Sequence, residues 1–542
     1  WGVAIDGQLG NGVGAVTSGD PVSVSTVPGW TALEVSVSTS SGTGGGTTCA
    51  LFSNLTGDRR VMCWGDGASG QIGDGGTASL ASPAPTDLVM LDSNTPLGAA
   101  EGSSELSSSP YDVSEVSLSV DGKFGCARSS QGHVKCWGYN GYGQLGHGNT
   151  STASDGDNEM GENLAFVPLG ANRTALRISV GQGHACAMLD DGSVKCWGRN
   201  IYGQLGIGNN TQIGDGANEM GDILATADLG PGRTATDITV GSYHSCAILD
   251  DGSVKCWGYN GNGNLGIGNT SSMGDGANEM GANLITVDLG TGRTAIAIDA
   301  GAAHTCAILD SGVLKCWGNN GNGRLGQGHT ENIGTGPDFD SNGISCHPSL
   351  DTDTNTRECN ARMGDGLPAV DLGDGRTATA VSAGDSSTCA ILDNGSVRCW
   401  GNNYDGRTGM GITSGSSGDS TGEMGDDLPN VDLGSGRTAA SISVGYSHAC
   451  VVLDNLSIAC WGDNYYGEAG IGTTDDVDTA GEMGSGLGTA LLPTTKSSSV
   501  SSGLYHTCAI IADGTVRCWG EDSDGRLGVF DGADDNIGDA SG

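Results

Sequence analysis

Eighteen cysteines and one aspartate-rich stretch are the residues whose types and spacing point to chemistry. Seven cysteine pairs stand ten residues apart: Cys126/Cys136, Cys186/Cys196, Cys246/Cys256, Cys306/Cys316, Cys389/Cys399, Cys450/Cys460 and Cys508/Cys518. Cys49/Cys63 are fourteen apart, and Cys346/Cys359 complete an even count. Fixed local spacing of an even set is the pattern of disulfides closed in an oxidising compartment. Structural zinc is the competing use of such thiols, but it needs CxxC or Cys/His spacing, which this sequence lacks.

The second chemistry is cation binding. Asp338, Asp340 and Asn342, followed by Gly343, place alternate side-chain oxygens before a sharp turn, the first half of a DxDxNG calcium loop. The Ile344 carbonyl is the expected backbone ligand. Ser349 stands where a calcium-binding glutamate would end the loop, so this is not an EF-hand. Asp351, Asp353 and Asn355 are placed to close the shell, with a Cys346–Cys359 bridge holding the segment. Calcium is thus the one cofactor the chain suggests, and a solvated acidic loop is the competing reading.

Five histidines, His184, His244, His304, His448 and His506, each stand two residues before a cysteine. Their regular recurrence favours a ring hydrogen-bonded to an adjacent turn over a metal or catalytic set. No GxSxG elbow with a plausible His/Asp setting, HExxH or P-loop occurs, and the chain reads as a non-enzyme.

The elements that position these residues repeat. The block CAILDDGSVKCW at Cys246–Trp257 recurs along the chain, and its Trp-Gly end falls at Trp137, Trp197, Trp257 and Trp317, a period of 60 residues. Asp250-Asp251-Gly252 is a hairpin turn that sets Cys246 opposite Cys256 and Ile248 opposite Val254. Glycine occupies that turn position in all the ten-spaced hairpins except one, where Leu456 stands. With 98 glycines and only 5% aromatic residues, long helices are excluded, because glycine costs roughly 1 kcal/mol in a helix interior. About four short strands per repeat describe an all-β propeller of seven or eight four-stranded blades. It is read as one array over residues 1–542, with a Ser/Pro-rich insertion at 77–112 and the Asp-rich, bridged insertion at 331–363.

The motifs GxxHxC (Gly241–Cys246), DDGxVxCWG (Asp250–Gly258) and NGxGxLG (Asn260–Gly266) make the chain resemble the regulator of chromosome condensation repeat family. That resemblance implies a circular propeller, typically of seven blades, and the cysteine pairs point to its secreted variety. The family's nucleotide exchange on chromatin is not expected here, given the disulfides and a net charge of −40. Nine Trp-Gly exits against eight cysteine hairpins leave one exit segment over, at Trp1, which reads as an extra edge strand, a remnant, or a strand for another subunit. The start at Trp1 is expected to follow a removed signal peptide or a fragment boundary.

Charge and sequons complete the reading. An excess of 63 acids over 23 bases repels nucleic acid and anionic lipid surfaces. Sequons at Asn54, Asn149, Asn172, Asn209, Asn269, Asn394 and Asn455 suggest N-glycans and the secretory pathway. Recurring GEMG-type turns and GRTA segments suggest that Glu219 and its equivalents pair with Arg233 and its equivalents, while the methionine packs the seam between repeats. The expected function is a non-catalytic extracellular structural subunit, built with copies of itself into a filament, hair or coat. The alternative is a secreted module that binds a protein or glycan on one face. Alkylation of the denatured but unreduced chain should label no cysteine, and reduction should open all 18. Labelling before reduction would reveal metal-held or free thiols instead.

Overall fold

The computed structural model describes residues 2–3, 17–23, 30–37, 47–54, 59–65, 113–118, 124–129, 131–152, 164–336, 363–412, 415–491, 497–502, 506–511 and 516–520. Alternating apolar residues and glycine-punctuated turns give eight antiparallel sheets among them. Numbered as blades along the chain, the first runs Trp30–Val37, Thr47–Asn54 and Arg59–Gly65. Blade 2 is Val113–Leu118, Phe124–Ser129 and Val134–Gly138, and blade 3 Ala175–Val180, His184–Leu189 and Val194–Gly198. Blades 4, 5, 6 and 7 begin at Ala235, Ala295, Ala378 and Ala439 and end their cysteine hairpins at Gly258, Gly318, Asn402 and Gly462. Blade 8 is Ser497–Ser502, His506–Ile511 and Val516–Gly520.

The first strand of each blade touches the first strands of both neighbours, and blade 8 touches blade 1, so the eight blades form a closed ring around these strands. Closure uses the chain's beginning. Thr17–Ser23 pairs with Val516–Gly520, aligning Val22 with Cys518, and Gly2–Val3 pairs in turn with Thr17–Ser23. The exit segment at Trp1, surplus in the linear count, thus leads into the outer edge of blade 8. There it covers the N–H and C=O groups that the third strand of blade 8 would otherwise leave unpaired.

Blades 3 to 7 have three full strands and a reduced fourth. Blade 4 has Thr286–Val287 against Val254–Lys255, and blade 6 has Ser416–Ser417 against Gly401–Asn402. Blade 3 keeps only the single bridges Lys195↔Thr226 and Gly198↔Ile213. The outer segment is interrupted by the Glu/Met turn, here at 214–221, and two short touches replace a continuous strand. The middle strands of blades 3 to 7 are buried throughout and build the core with the tryptophans of the third strands.

The hairpin register is as the spacing requires: Cys246 faces Cys256 and Ile248 faces Val254. Disulfides close Cys126–Cys136, Cys186–Cys196, Cys246–Cys256, Cys306–Cys316, Cys389–Cys399 and Cys450–Cys460, each with Cα atoms 4.1 Å apart. The backbone also sets Cys49 opposite Cys63 and Cys508 opposite Cys518. Gly252 adopts φ +75°, and Leu456 adopts φ +71° at the same turn position without glycine's freedom. A left-handed conformation costs a side-chain-bearing residue roughly 1–2 kcal/mol. Leu456→Gly should therefore raise stability by about 1 kcal/mol in denaturant melts, and an unchanged or lowered midpoint would show that Leu456 contributes compensating contacts.

Candidate functional site

The recurring histidines do their work between blades. His184, His244, His304 and His448 are buried, and their Nε2 atoms lie 3.1, 2.9, 3.0 and 2.8 Å from the hydroxyls of Ser245, Thr305, Thr388 and Thr507 in the following blade. Each hydroxyl donates its only hydrogen to a backbone carbonyl, those of Gln204, Asn264, Arg324 and Glu468. It must then accept from the imidazole, which fixes the Nε2–H tautomer. Burial pushes these imidazoles down to about 3 for His184, His304 and His448 and about 4 for His244, so they stay neutral. Gly241 is required three residues upstream, because a Cβ there would strike the His244 ring and stand 2.7 Å from the Gly301 carbonyl of the next blade.

The same carbonyls also receive the tryptophans. Trp257, Trp317 and Trp400 donate Nε1–H to the carbonyls of Gln204, Asn264 and Arg324, each at 2.9 Å. Each tryptophan is thereby bound to the blade before its own. Met280 and Met363 pack against Gly206 and Gly266 in the preceding exit loops, as the seam role required. The proposed glutamate–arginine pairing is replaced by a local one. Glu219 accepts the N–H groups of Gly214 and Gly216 at 2.9 and 2.8 Å. Arg233 instead reaches Asp250 at 3.2 Å, and Arg173, Arg293, Arg376 and Arg437 likewise hold the hairpin-tip carboxylates of their own blades. The reason is reach: Glu219 spends its carboxylate on its own turn before any arginine can approach.

At one end of the ring, where the exit loops follow each Trp-Gly, aromatic and cationic side chains connect across blades 2, 3 and 4. Tyr139 meets Tyr142 at 6.1 Å, and the Arg199 guanidinium lies 4.9 Å from the Tyr142 ring and 5.3 Å from the Tyr243 ring. Tyr202 contacts Tyr243 at 5.7 Å and Tyr259 at 4.9 Å. Ile201 is exposed beside them. Arg199 Nε is buried without a hydrogen-bond partner among the described residues. A guanidinium stacked between rings retains donors for an outside acceptor. Sequence reasoning missed this cluster. Its signal was the appearance of Tyr, Ile and Arg in exit loops that elsewhere read Asn and Gly.

The candidate calcium residues Asp338, Asp340, Asn342, Ile344, Asp351 and Asp353, and the Cys346/Cys359 pair, lie outside the described residues. So does the 77–112 insertion. Among the described residues no three His, Cys, Asp or Glu side chains are grouped to hold a metal ion. Asn149, Asn172, Asn209, Asn394 and Asn455 are exposed and Asn269 is half-buried, while Asn54 sits at the end of Thr47–Asn54.

The regulator of chromosome condensation (RCC1) repeat model matches residues 120–144, 176–204, 235–264, 295–324, 378–407, 439–468 and 498–526, which are blades 2 to 8. The chain belongs to the RCC1-repeat family. Among RCC1-repeat relatives, the ultraviolet-B receptor UVR8 of Arabidopsis thaliana is 29% identical over 215 residues, 40% of each chain. The human E3 ubiquitin-protein ligase HERC2 is 25% identical over 66% of this chain but only 6% of its own length. The chain therefore spans less than half of either relative in these matches. Prp20p of Saccharomyces cerevisiae, whose structure was reported with its binding to Gsp1p and histones, superposes with a TM-score of 0.51 at 15% identity, over 86% of this chain and 92% of that one. That likeness fixes the RCC1 fold.

The buried groups predict opposed pH effects. A histidine whose folded pKa is depressed contributes stability that is complete above the unfolded value of 6.5 and is lost as pH falls towards 3–4. Asp299, half-buried on the first strand of blade 5, and Asp476 are pushed up to about 6, chiefly by desolvation, and so favour the fold increasingly as pH falls from about 6 to 3.8. Replacing both carboxylates, as Asp299→Ser with Asp476→Asn, should steepen the loss of stability between pH 6.5 and 4. Urea melts across that window check this, and an unchanged slope would mean that the carboxylates are ionised throughout.

Proposed function

We propose that this chain is a non-catalytic, extracellular binding propeller that docks a protein partner on the exit-loop face of blades 2 to 4. The observation that carries the proposal is the continuous Tyr139–Tyr142–Arg199–Tyr243–Tyr202–Tyr259 cluster, with Ile201 exposed beside it. Tyrosine and arginine dominate the energetic centres of protein interfaces, because they cover large areas at low entropic cost and keep polar tips for recognition. The disulfides of the six hairpins of blades 2 to 7 and the exposed sequons support the secretory pathway. N-glycans at those sequons and calcium in the Asp338–Asp353 segment belong to the same proposal, and the charge of −40 argues against nucleic acid. Binding is favoured over self-assembly into a filament or coat, because the segment that suggested a free edge strand is paired within blade 8.

The test is affinity capture from extracellular material of the source, using the full chain and an Arg199→Ala/Tyr202→Ala variant, followed by cross-linking and microscopy. A captured protein that cross-links to this face and is lost with the variant supports the proposal. Capture unaffected by the variant would move the interface elsewhere. Ordered filaments of the isolated chain would replace the binding reading with the structural one.

A further inference from the structure

Four consecutive seams on the outer side of the ring, from blades 2 and 3 to blades 5 and 6, are built around a buried cation of the third strand. Lys195 donates Nζ–H to the carbonyls of Leu169 and Gly221, Lys255 to those of Leu229 and Gly281, and Lys315 to those of Leu289 and Gly364. Arg398 does the same with Leu372 and Gly425. At three of these seams a carboxylate following the glycine reaches across to a backbone N–H. Asp222 accepts from Ala171 at 2.7 Å, Asp365 from Thr291 at 2.8 Å, and Asp426 from Asp374 at 3.2 Å. Those carboxylates also supply countercharge to Lys195, Lys315 and Arg398.

The seam between blades 3 and 4 has lost both halves of this contact. Ala282 stands where the aspartate would be, and Pro231, which has no N–H, stands where the donor would be. In their place is a cavity of about 610 Å³, walled by Ile207, Met280 and Pro231, with Asp228, Ala282 and Asn283 at its margin. The cation remains. A Cβ placed on Gly230, in the cavity wall, would stand 3.3 Å from Lys255 Nζ. Equivalent points on Gly170, Gly290 and Gly373 lie 3.0, 2.9 and 2.6 Å from the carboxylates of Asp222, Asp365 and Asp426. Lys255 is buried and has spent two of its three N–H donors on carbonyls.

We propose that this cavity binds a small monocarboxylic acid, whose carboxylate takes the position of the missing aspartate opposite Lys255 and whose apolar body rests on Ile207, Met280 and Pro231. The neighbouring Asp228 does not exclude it, because Lys315 and Arg398 each face two carboxylates, Asp365 with Asp288 and Asp426 with Asp371. It does limit the ligand to a single negative charge. The volume is that of a small-molecule site.

Hexanoate is the probe, with hexanamide as its uncharged match, and binding to the full, disulfide-intact chain is read by saturation-transfer NMR. Ala282→Asp tethers the displaced carboxylate in place, copying three seams the fold already contains, so this variant should retain its melting transition. Lys255→Met removes the cation. Hexanoate should bind at millimolar concentration, hexanamide about tenfold more weakly or worse, and Ala282→Asp should abolish the signal even if Lys255→Met does not fold. Absence of hexanoate binding, equal binding of the amide, or binding retained by Ala282→Asp would each overturn the proposal.

Discussion

From blade 2 to blade 8, one backbone carbonyl per exit loop ties a blade to the next. At Gln204, Asn264 and Arg324 it accepts from a buried tryptophan and from a Ser or Thr hydroxyl of the following blade, and that hydroxyl accepts from a histidine of the blade before. A buried donor left unmet costs about 1–3 kcal/mol. Tryptophan, hydroxyl and imidazole therefore have one arrangement in which all three donors are met, while Nδ1 of each imidazole is buried without a partner among the described residues. Propeller blades touch only their neighbours, so ring geometry is the sum of these seams, and the N-terminal strands complete the last blade.

Where the seam departs from this scheme, it departs on both sides. Phe124 replaces histidine in blade 2, and its counterpart in blade 3 is Ala185. Ser387 replaces histidine in blade 6, and its counterpart is Ala449; the Ser387 hydroxyl is buried without a partner among the described residues. Pro231 and Ala282 are a third matched loss, on the outer rim. A lone imidazole N–H facing alanine would be a buried unsatisfied donor, so loss of the acceptor goes with loss of the donor. Phe124 and Ala185 fill one inner loss with apolar packing, whereas the Ser387 hydroxyl at the other stays unmet among the described residues. The outer one leaves space.

Charge is arranged in two regimes. Most acids are solvated or serve locally, as Glu219 does in its turn and Asp250 does beside Arg233. The bases are largely committed to structure, in hairpin-tip pairs or under the seam. Arg199 differs, stacked between two tyrosines, with no ion pair among the described residues. An uncommitted guanidinium on a chain of −40 marks the exit-loop face of blades 2 to 4 as different from the rest of the ring.

Periodicity and spacing alone determined a great deal here. The hairpin around Cys246 and Cys256, the glycine at its turn, the misfit of Leu456 and the propeller class all follow from local chemistry, because a hairpin's register is set within a dozen residues. Blade number was left between seven and eight, and the role of the Trp1 segment stayed open. Both depend on the meeting of Thr17–Ser23 with Val516–Gly520, a pairing that no local signal announces. The same limit applies to the histidines, the tryptophans and the glutamates of the GEMG turns. Their types were legible, but their partners lie about 60 residues away or within a turn whose shape the sequence did not reveal. Only the tertiary structure decided those partners, since a repeat unit satisfies its buried donors across a seam with its neighbours and not within itself.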